Sequence, residues 1–425
     1  MKISRRQFVK AMAAMSAASM LAACGGSSGS GSSGGKKALT FQIWDVAQKE
    51  GMEAMCAAYT QQHPEVSIEV QVTSWNEYWT KLEAAATSNQ MPDIFWMHTN
   101  EILKYADNGM LADCSDIVEK DKFSEISLSN AMGSNGTLYA VPKDKDTVGL
   151  VYNKEMFDAA GVAYPDENWT WDDLVSASEK IYAATGKYGY MAYADDQLGY
   201  WNFVYQAGGY ILNEDKTKAG FTQPATEKAM KFYIGLQQND WCPDQTYFAE
   251  TAPGTAFFSE KGAMFLEGDW NILAELQNYP EMVGKWDVAV LPKCPDPESG
   301  DGRATISNGL CYATAASNKN LDTVKDILKF FGSEEDQRIQ GESGAAIPAY
   351  QGLEDTWAGC FAEYPINIQC FIDMFEYSVQ SVNNASRPEW KSKVNDELLK
   401  IYAGTEDIET GLQKMQDIVD QASAG

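Results

Sequence analysis

Hydrophobic and polar residues alternate in two stretches near the start of the regular part of the chain. In residues 39–43 and 66–72 every second side chain is apolar, which is the period of a β-strand with one buried face. Residues 52–59 between them carry apolar side chains three and four positions apart, which is the period of a helix. A strand, a helix and a second strand in this order predict a βαβ unit.

The same two periods recur along the rest of the chain and predict a second α/β region. We expect helices over residues 77–88, 101–110, 198–209, 224–239 and 322–331, one helix capped by Thr170, and a helical tail from residue 366. We expect strands at residues 92–97, 188–193, 262–266 and 287–291. Strands in both halves of the chain imply two separate sheets.

Residues 139–154, with the sequence YAVPKDKDTVGLVYNK, are predicted to run from one half of the protein to the other. Pro142 fixes its own φ and biases the preceding residue away from helix. Residues 148–152 are mostly β-formers, and they follow the unbroken polar run 143–147. An extended segment that crosses between two domains fits this pattern better than a surface loop.

Two later stretches, residues 305–315 and 341–350, are candidates for further crossings of the same kind. Small-molecule clefts usually lie where two domains meet. The polar residues in the middle of the first crossing are therefore candidate ligand contacts, namely Lys143, Asp144 and Asp146. On this basis the chain is predicted to be a cleft protein.

The same crossing offers a partial match to a calcium-binding loop. Asp144, Asp146, Gly149 and Glu155 fall at positions 1, 3, 6 and 12 of an EF-hand loop. Position 5 is Val148, which has no side-chain oxygen, and the β-forming residues after it deny the loop its second helix. We therefore predict no metal site here.

Composition indicates a globular protein of about two domains. The chain has 425 residues, of which 44% are hydrophobic and 22% are charged. Its 60 acidic residues outnumber 33 basic ones and give a formal net charge of −27, which repels nucleic acid and anionic lipid head groups. Two histidines, scattered cysteines and the absence of a CxxC motif argue against a transition-metal site, and no cofactor is predicted.

The first 24 residues have the pattern of a lipoprotein signal peptide. Residues 1–10 are basic, residues 11–20 form an Ala-, Met- and Ser-rich run far shorter than a membrane span, and Leu-Ala-Ala then precedes Cys24. This is a lipobox, in which the Cys24 thiol takes a diacylglyceryl group. Arg5 and Arg6 also give the leader a resemblance to a twin-arginine export signal.

Residues 25–37 are predicted to be a flexible tether. They begin with GGSSGSGSSGG, a composition whose root-mean-square reach is roughly 20 Å. We therefore expect an exported protein that is held at the outer face of the cytoplasmic membrane by its lipid anchor, while the globular part stays free to sample that surface.

Several stretches together resemble the extracellular solute-binding proteins of ABC importers, specifically the family-1 sugar-binding group related to maltose-binding protein. They are IWDVAQKEGMEAM (43–55), MPDIFWMHTN (91–100), LYAVPKDKDTVGLVYNK (138–154), FVYQAGGYILN (203–213), AMFLEGDW (263–270), WDVAVLP (286–292) and SGAAIPAY (343–350). The resemblance covers nearly everything after residue 38, and the order and spacing of the stretches are specific.

This resemblance implies an α/β chain with the two-lobed, type II periplasmic-binding-protein fold, in which each lobe is a sheet flanked by helices and crossing strands join the lobes. The N-lobe would comprise residues 38–145 and 310–343, and the C-lobe residues 146–309 and 344–425. The implied protein is a monomeric binding lipoprotein without catalytic activity. It would capture a sugar between the lobes and deliver it to the transmembrane subunits of an ABC permease, which uses a separate ATPase subunit.

The resemblance also implies particular ligand contacts. Trp96 is similar to the stacking aromatic of the N-lobe, and Trp270 is similar to the principal aromatic platform of the C-lobe. Asp146 and Asp196 stand in the places of acidic sugar contacts, and Lys49 resembles the polar contact on the first βα turn.

In two places the chain departs from maltose-binding protein. Thr99 and Asn100 replace an acid and its basic partner, and Leu198 replaces an aromatic contact, so the departures favour a sugar other than maltose.

The chemistry of sugars gives an independent reason to consider tryptophans and polar residues. Pyranose rings have apolar C–H faces that stack on indoles and hydroxyls that donate to carboxylates. Tryptophans near acids or amides, the polar end of a strand and the polar residues of the crossings are thus further candidates: Trp75, His98, Asn100, Lys143, Asp144, Trp201, Arg303, Asn308 and Trp390.

Two other functions remain open at this point. A secreted glycoside hydrolase would also use carboxylates and tryptophans in a cleft, although no pair of acids has a recognisable spacing and no GxSxG or HExxH motif occurs. A receptor for peptides or polyamines would suit the acidic charge.

Overall fold

The structure is a computed structural model that describes residues 36–424 of the chain. The predicted signal peptide, the lipidation site Cys24 and tether residues 25–35 lie outside the described residues. The first strand begins at Lys37, so the last residue of the predicted tether already belongs to the folded part.

The described strands are, in chain order, β1 (Lys37–Ile43), β2 (Val66–Val72), β3 (Ile94–His98), β4 (Val141–Pro142), β5 (Val148–Asn153), β6 (Tyr188–Tyr190), β7 (Gly262–Gly268), β8 (Trp286–Ala289), β9 (Thr305–Ser307), β10 (Leu310–Ala313) and β11 (Ser378–Gln380).

The described helices are α1 (Lys49–Gln62), α2 (Trp75–Thr87), α3 (Thr99–Ala106), α4 (Glu125–Asn130), α5 (Lys154–Ala160), α6 (Trp171–Thr185), α7 (Trp201–Gln206), α8 (Pro224–Leu236), α9 (Gln245–Glu250), α10 (Pro253–Phe258), α11 (Asp269–Asn278), α12 (Leu321–Phe331), α13 (Glu334–Ser343), α14 (Glu354–Ala358), α15 (Gln369–Asp373), α16 (Arg387–Tyr402) and α17 (Ile408–Ser423). Within residues 36–424, none of the helices combines the length and the apolar character needed to cross a membrane.

These strands form two large sheets and one small one. The first sheet has the order β2-β1-β3-β10-β4, with β1 parallel to β2 and β3, and with β10 antiparallel to both of its neighbours. The second has the order β6-β7-β5-β8, in which β5 is antiparallel to β7 and β8. Strands β9 and β11 pair in parallel as the small sheet. The predicted βαβ unit is confirmed as β1, α1 and β2.

Each large sheet packs on a hydrophobic core of its own. In the first core, the rings of Phe41 and Tyr312 lie 5.9 Å apart, and Phe331 contacts both of them. In the second core, the ring of Phe257 lies 5.0 Å from that of Phe265 and 6.4 Å from that of Trp286. Two sheets, each with flanking helices and a separate core, confirm the predicted two-lobed α/β fold.

Local sequence signals account for several element boundaries. The Asn153 side chain accepts a hydrogen bond from the backbone N–H of Met156 and so starts α5 directly after β5. Thr170 and Asp173 form a reciprocal capping box at the start of α6. The same helix ends at Gly186, whose φ of 68° is the left-handed conformation that terminates helices.

Two helical predictions differ from the structure. The helix expected over residues 198–209 is divided into a π-helical turn at Asp196–Tyr200 and α7, because Gly199 has φ −156° and ψ −127°. The tail expected to be helical from residue 366 is interrupted by β11, which pairs with β9. In both places a tertiary contact or a backbone kink overrides the hydrophobic period.

Three extended segments run side by side at the junction of the two large sheets. Residues 143–147 join β4 to β5, and the pair Asn308 and Gly309 joins β9 to β10. Residues 344–349 run beside the first segment, since the Lys145 N–H donates to the Ile347 carbonyl at 3.1 Å. These segments lie where the sequence predicted crossings.

Gly309 lies at the closest approach of two crossings, and this gives a stability prediction. Its φ is +88°, and a Cβ there would lie 2.7 Å from the Asp144 carbonyl oxygen. Gly309→Ala should lower the free energy of unfolding by about 1–2 kcal/mol for the left-handed backbone and by about 1–3 kcal/mol for the overlap. Urea unfolding measures the change.

Gly300→Ala is the matched control, because Gly300 also has a positive φ (+75°) but a Cβ there would meet no atom within 4 Å. This substitution should show the conformational cost alone. Equal losses for the two variants would contradict tight packing of the crossings.

Candidate functional site

A cavity of about 420 Å³ lies between the two large sheets, at the crossing segments. From the side of the first sheet it is lined by Trp44, Asp45, Gln48, Trp75, His98 and Asn100. From the side of the second sheet it is lined by Asp195, Asp196, Gln197, Leu198, Asp269, Trp270, Asn271 and Lys391. Asp144, Lys145, Asp146, Leu310 and Ala346 of the crossings complete the lining.

Aromatic rings at the carboxyl ends of β1 and β3 form one wall. Trp44 follows β1, and its ring lies edge-to-face with that of Trp75 at a centroid distance of 5.0 Å. Trp75 begins α2, is 44% exposed and lies 5.5 Å from the His98 ring. Tyr78 of α2 and Trp96 of β3 pack against the Trp44 ring at centroid distances of 4.9 Å and 5.0 Å, so both elements hold this ring in place beside the cavity.

His98 ends β3 and is held in the neutral state. Its Nδ1 accepts the backbone N–H of Asn100 at 3.1 Å and thereby caps α3. Burial, with the nearby charges of Arg387 and Lys391, lowers the pKa of His98 to about 3. A neutral imidazole whose Nδ1 is an acceptor carries its proton on Nε2, so His98 has one N–H donor left.

Trp270 and Asp269 begin α11 on the opposite wall. A Cβ at Gly268 would lie 2.1 Å from the Trp270 ring, so only glycine lets this indole fold back against the end of β7. Asp269 Oδ1 accepts the Thr147 N–H at 3.0 Å, while its Oδ2 accepts no hydrogen bond. Burial and the neighbouring Asp146 raise the pKa of Asp269 well above its usual value.

The crossing segments supply the floor of the cavity. Lys143 is fully buried, and its Nζ lies 2.5 Å from Asp144 Oδ2, donates to Gln48 Oε1 at 2.9 Å and sits 4.6 Å from the centre of the Trp96 ring. Asp144 Oδ1 in turn accepts the Leu310 N–H at 2.6 Å. Lys143 thus supports the floor from below and is not among the residues that line the cavity.

Asp146 ties two crossings together. Its Oδ1 accepts the Asn308 N–H at 2.6 Å, and its Oδ2 accepts the Gly309 N–H at 3.3 Å and the Gln197 side chain at 3.4 Å. Burial raises the pKa of Asp146 to about 7, with Asp144 adding to the rise, although the backbone donors oppose it. The Asp146 carboxyl therefore holds two crossings together and also forms part of the cavity surface.

Two adjacent carboxyls have opposite pKa shifts. Burial would raise the pKa of Asp196, but the cations Lys391 and Arg387 outweigh it and hold that pKa well below its usual value. Their nitrogens lie 3.2 Å and 2.6 Å from Asp196 Oδ2. Asp195 has no such partner, so burial and the Asp196 charge raise the pKa of Asp195 to about 6.

Of the residues predicted as ligand contacts, the structure brings Trp75, His98, Asn100, Asp144, Asp146, Asp196 and Trp270 together around the cavity. The other predicted residues lie elsewhere in the described chain: Lys49, Trp96, Lys143, Trp201, Arg303, Asn308 and Trp390.

Three of the predicted tryptophans are buried in the cores, which corrects the expectation that they stack on a ligand. Trp96 is fully buried because Trp44 covers it at a centroid distance of 5.0 Å. Trp201 and Trp390 are buried on either side of the Arg387 guanidinium, at 5.0 Å and 5.5 Å.

The remaining differences have simple local causes. Lys49 lies on the solvent side of α1, where it pairs with Glu53 at 3.4 Å. Arg303 pairs with Asp301 at 2.6 Å on the surface. Asn308 is fully buried and meets Asp146 through its backbone rather than its side chain.

Sequence reasoning placed Leu198 at a contact position, but it missed several other residues that line the cavity: Trp44, Asp45, Gln48, Lys145, Asp195, Gln197, Asp269, Asn271, Leu310, Ala346 and Lys391. Trp44 and Asp45 could have been found, since they directly follow β1. The same position at the end of a strand was the reason for predicting His98 on β3. Asp269 directly precedes Trp270 and shares its position at a strand end. Lys391 carries no sequence signal, because its approach depends on how α16 docks.

The arrangement offers aromatic faces on two opposite walls and carboxyl or amide oxygens around them. Such a surface can stack on an apolar ring face and accept hydrogen bonds from several donors at once. Among residues 36–424 there is no group of three or more His, Cys, Asp or Glu side chains arranged to hold a metal ion.

The chain is similar in sequence to several known binding proteins. The chain is 24% identical to the lactose-binding protein of Rhizobium radiobacter over 343 residues, which cover 76% of this chain and 79% of the relative. It is 25% identical to the diacetylchitobiose-binding protein of Streptomyces coelicolor over 367 residues, covering 82% and 84%.

Among solved structures, an ABC substrate-binding protein of Listeria monocytogenes in complex with cycloalternan superposes with a TM-score of 0.81 at 22% identity. The superposition covers 92% of this chain and 99% of that one, which shows that the two share a fold. The sequence profile of bacterial extracellular solute-binding proteins matches residues 44–338. Since this match spans more than half of the chain, the protein belongs to the family of bacterial extracellular solute-binding proteins.

Proposed function

We propose that this protein is the substrate-binding lipoprotein of an ABC importer, and that it captures a sugar or oligosaccharide in the cavity between its two lobes. The observation that carries the proposal is the pairing of aromatic rings on both walls, Trp44 and Trp75 on one and Trp270 on the other, with a ring of carboxyl and amide side chains.

The chemistry of this pairing suits pyranose rings. An indole covers the C–H face of a sugar, and a carboxylate accepts hydroxyl donors at the rim of the same ring. Hydrogen bonds to charged groups contribute about 1.5–3 kcal/mol each. Asp45, Asp195, Asp196 and Asn271 are acceptors in the cavity lining, and His98 contributes an N–H donor.

The names of the relatives support the sugar class. Those relatives are binding proteins for lactose, diacetylchitobiose and galactooligosaccharides, and the Listeria structure holds the cyclic sugar cycloalternan. These proteins are 22–25% identical to this chain, so the proposal covers the class of ligand. The sugar and its linkage are identified by the experiment below.

The proposal includes a location and partners. The protein would be exported and held by a lipid on Cys24 at the outer face of the cytoplasmic membrane, with residues 25–36 as tether. It would act as a monomer, with an N-lobe of residues 38–145 and 310–343 and a C-lobe of residues 146–309 and 344–425. It would pass its sugar to transmembrane permease subunits that are driven by a separate ATPase, and it needs no catalytic group or cofactor of its own.

A thermal-shift panel tests the function. Lactose, maltotriose, diacetylchitobiose and cycloalternan are added singly to the purified protein, with spermidine as a cation that has no ring. We expect at least one sugar to raise Tm with a stoichiometry of one and to be recovered intact. A shift with spermidine alone would indicate a polyamine receptor, and release of smaller sugars would indicate a glycoside hydrolase.

The aromatic wall gives a more specific prediction. Trp270→Ala should weaken binding of the sugar with the largest shift by about 2 kcal/mol or more, the scale of a buried aromatic anchor. The loss arises because the sugar face would then meet water instead of the indole. Calorimetry measures the affinity.

Tyr182→Ala is a control for the loss of an aromatic side chain, since Tyr182 is 36% exposed and lies on α6, outside the cavity lining. Its affinity should equal that of the unmodified protein. An unchanged affinity in Trp270→Ala would remove this residue from the binding surface.

The lipobox gives a cell-based prediction. Cys24→Ala should move the protein from the membrane fraction to the soluble fraction or leave it unprocessed, because the substitution removes the only thiol that the lipid can modify. Ser28→Ala in the same tether should behave like the unmodified protein. Normal processing with full membrane retention of Cys24→Ala would rule out the anchor.

A further inference from the structure

A buried arginine lies directly behind the cavity, at the start of α16. Arg387 is only 1% exposed. Its Nη2 donates to Asp196 Oδ2 at 2.6 Å, and its Nη1 donates to the Val382 carbonyl at 3.2 Å. An arginine cannot lose its charge in a protein interior, so its position is determined by the groups that neutralise it.

Two indoles restrict the guanidinium further. Trp201 lies 5.0 Å and Trp390 lies 5.5 Å from its central carbon, and the Trp390 Nε1 donates to Asn384 at 3.0 Å. Planar guanidinium groups stack on aromatic faces in addition to forming charged hydrogen bonds. The two tryptophans therefore hold Arg387 in one orientation, and Arg387 holds the Asp196 carboxylate.

The contacts with Arg387 and Lys391 change how the Asp196 carboxylate can act as a hydrogen-bond acceptor. Arg387 and Lys391 both approach Asp196 Oδ2, so the negative charge is already balanced before any ligand arrives. Oδ1 accepts only the local Gln197 N–H, at 3.0 Å. A balanced carboxylate with a fixed orientation favours neutral donors such as hydroxyls, whereas an ammonium group would gain little from it and would be repelled by the two cations.

We propose that Arg387 is a positioning residue that acts through Asp196 to make this end of the cavity selective for neutral hydroxyl donors. The inference rests on the proposed sugar-binding function and adds a residue and a selectivity to it. Arg387 itself lies behind Asp196 and does not line the cavity.

The charged and titratable groups around Asp196 determine how the role of Arg387 can be measured. They are Arg387 and Lys391 on α16, Asp195 and Tyr200 on the adjoining turn, and His98 across the cavity. When Arg387 is removed, burial and the Asp195 charge act on Asp196 with one cation fewer to oppose them, since Lys391 and the Gln197 N–H remain, so the pKa of Asp196 rises. Protonated Asp196 is a poorer hydroxyl acceptor, and affinity should then decline at a higher pH than in the unmodified protein.

A double-mutant cycle tests the inference with calorimetry on the full chain. The probe is whichever of lactose, maltotriose, diacetylchitobiose and cycloalternan gives the largest thermal shift. Arg387→Met and Asp196→Asn should each weaken binding about tenfold or more, the scale of one charge-assisted hydrogen bond. The double variant should bind no more weakly than Asp196→Asn alone, because both changes act through one carboxylate.

Two further variants separate positioning from a loss of fold. Arg387→Lys keeps the charge but loses the planar fork, so it should recover the pH profile while its affinity at neutral pH stays reduced. Arg338→Met removes an exposed arginine that pairs with Glu334 at 2.9 Å, and it should leave both affinity and pH profile unchanged. Each variant is first checked for cooperative thermal unfolding, and Arg387→Lys replaces Arg387→Met throughout the cycle if the latter does not fold.

Additive losses in the double variant would overturn the role of Arg387 while leaving sugar binding intact. The role of Arg387 would also be overturned if affinity for the sugar declined at the same acidic pH in Arg387→Met as in the unmodified protein. Absence of binding by the unmodified protein to all four sugars would instead refute the proposed function, and the inference would fall with it.

Discussion

Buried charge at the junction of the two lobes is the constraint on which the rest of the structure depends. A lysine such as Lys143, with no solvent exposure, is tolerated only if its charge is matched and its protons are hydrogen-bonded. Asp144 and Gln48 meet this requirement, and Asp144 also binds the backbone of β10 through Leu310. One ion pair thus joins the crossing segment, the loop before α1 and a strand of the first sheet.

The same requirement divides five of the six acids that line the cavity into two groups. Asp144 and Asp196 are each matched by buried cations and are held in place as acceptors. Asp146, Asp195 and Asp269 have no cation partner of their own, and burial raises the pKa of each of them. A hydroxyl-rich ligand can donate to either kind of group, whereas only the second group would gain by meeting a cation.

The sequence predicts those parts of the site that depend on neighbouring residues, and it misses those that depend on contacts between distant parts of the chain. Strands β1 and β2 follow a two-residue period and were predicted from it, as was the polar end of β3 at His98. Trp96 lies two residues earlier on the same strand, and only the docking of Trp44 from β1 decides that it is covered. Trp201 contacts the guanidinium of Arg387, which lies far along the chain, and no spacing rule reveals that contact. Trp390 lies three residues after Arg387 on α16, so only this second contact follows from helical spacing.

Arg387 and Asp196 are separated by 191 residues, and this distance has a consequence for how the protein matures. All strands of the two large sheets are complete once β10 ends at Ala313, well before α16 is synthesised. Contacts at such long sequence separation are slow to form, since closing the long intervening loop costs conformational entropy. A nascent or truncated chain could therefore possess both sheets and still lack a finished cavity, so that competence to bind marks completion of folding to the C-terminal helices.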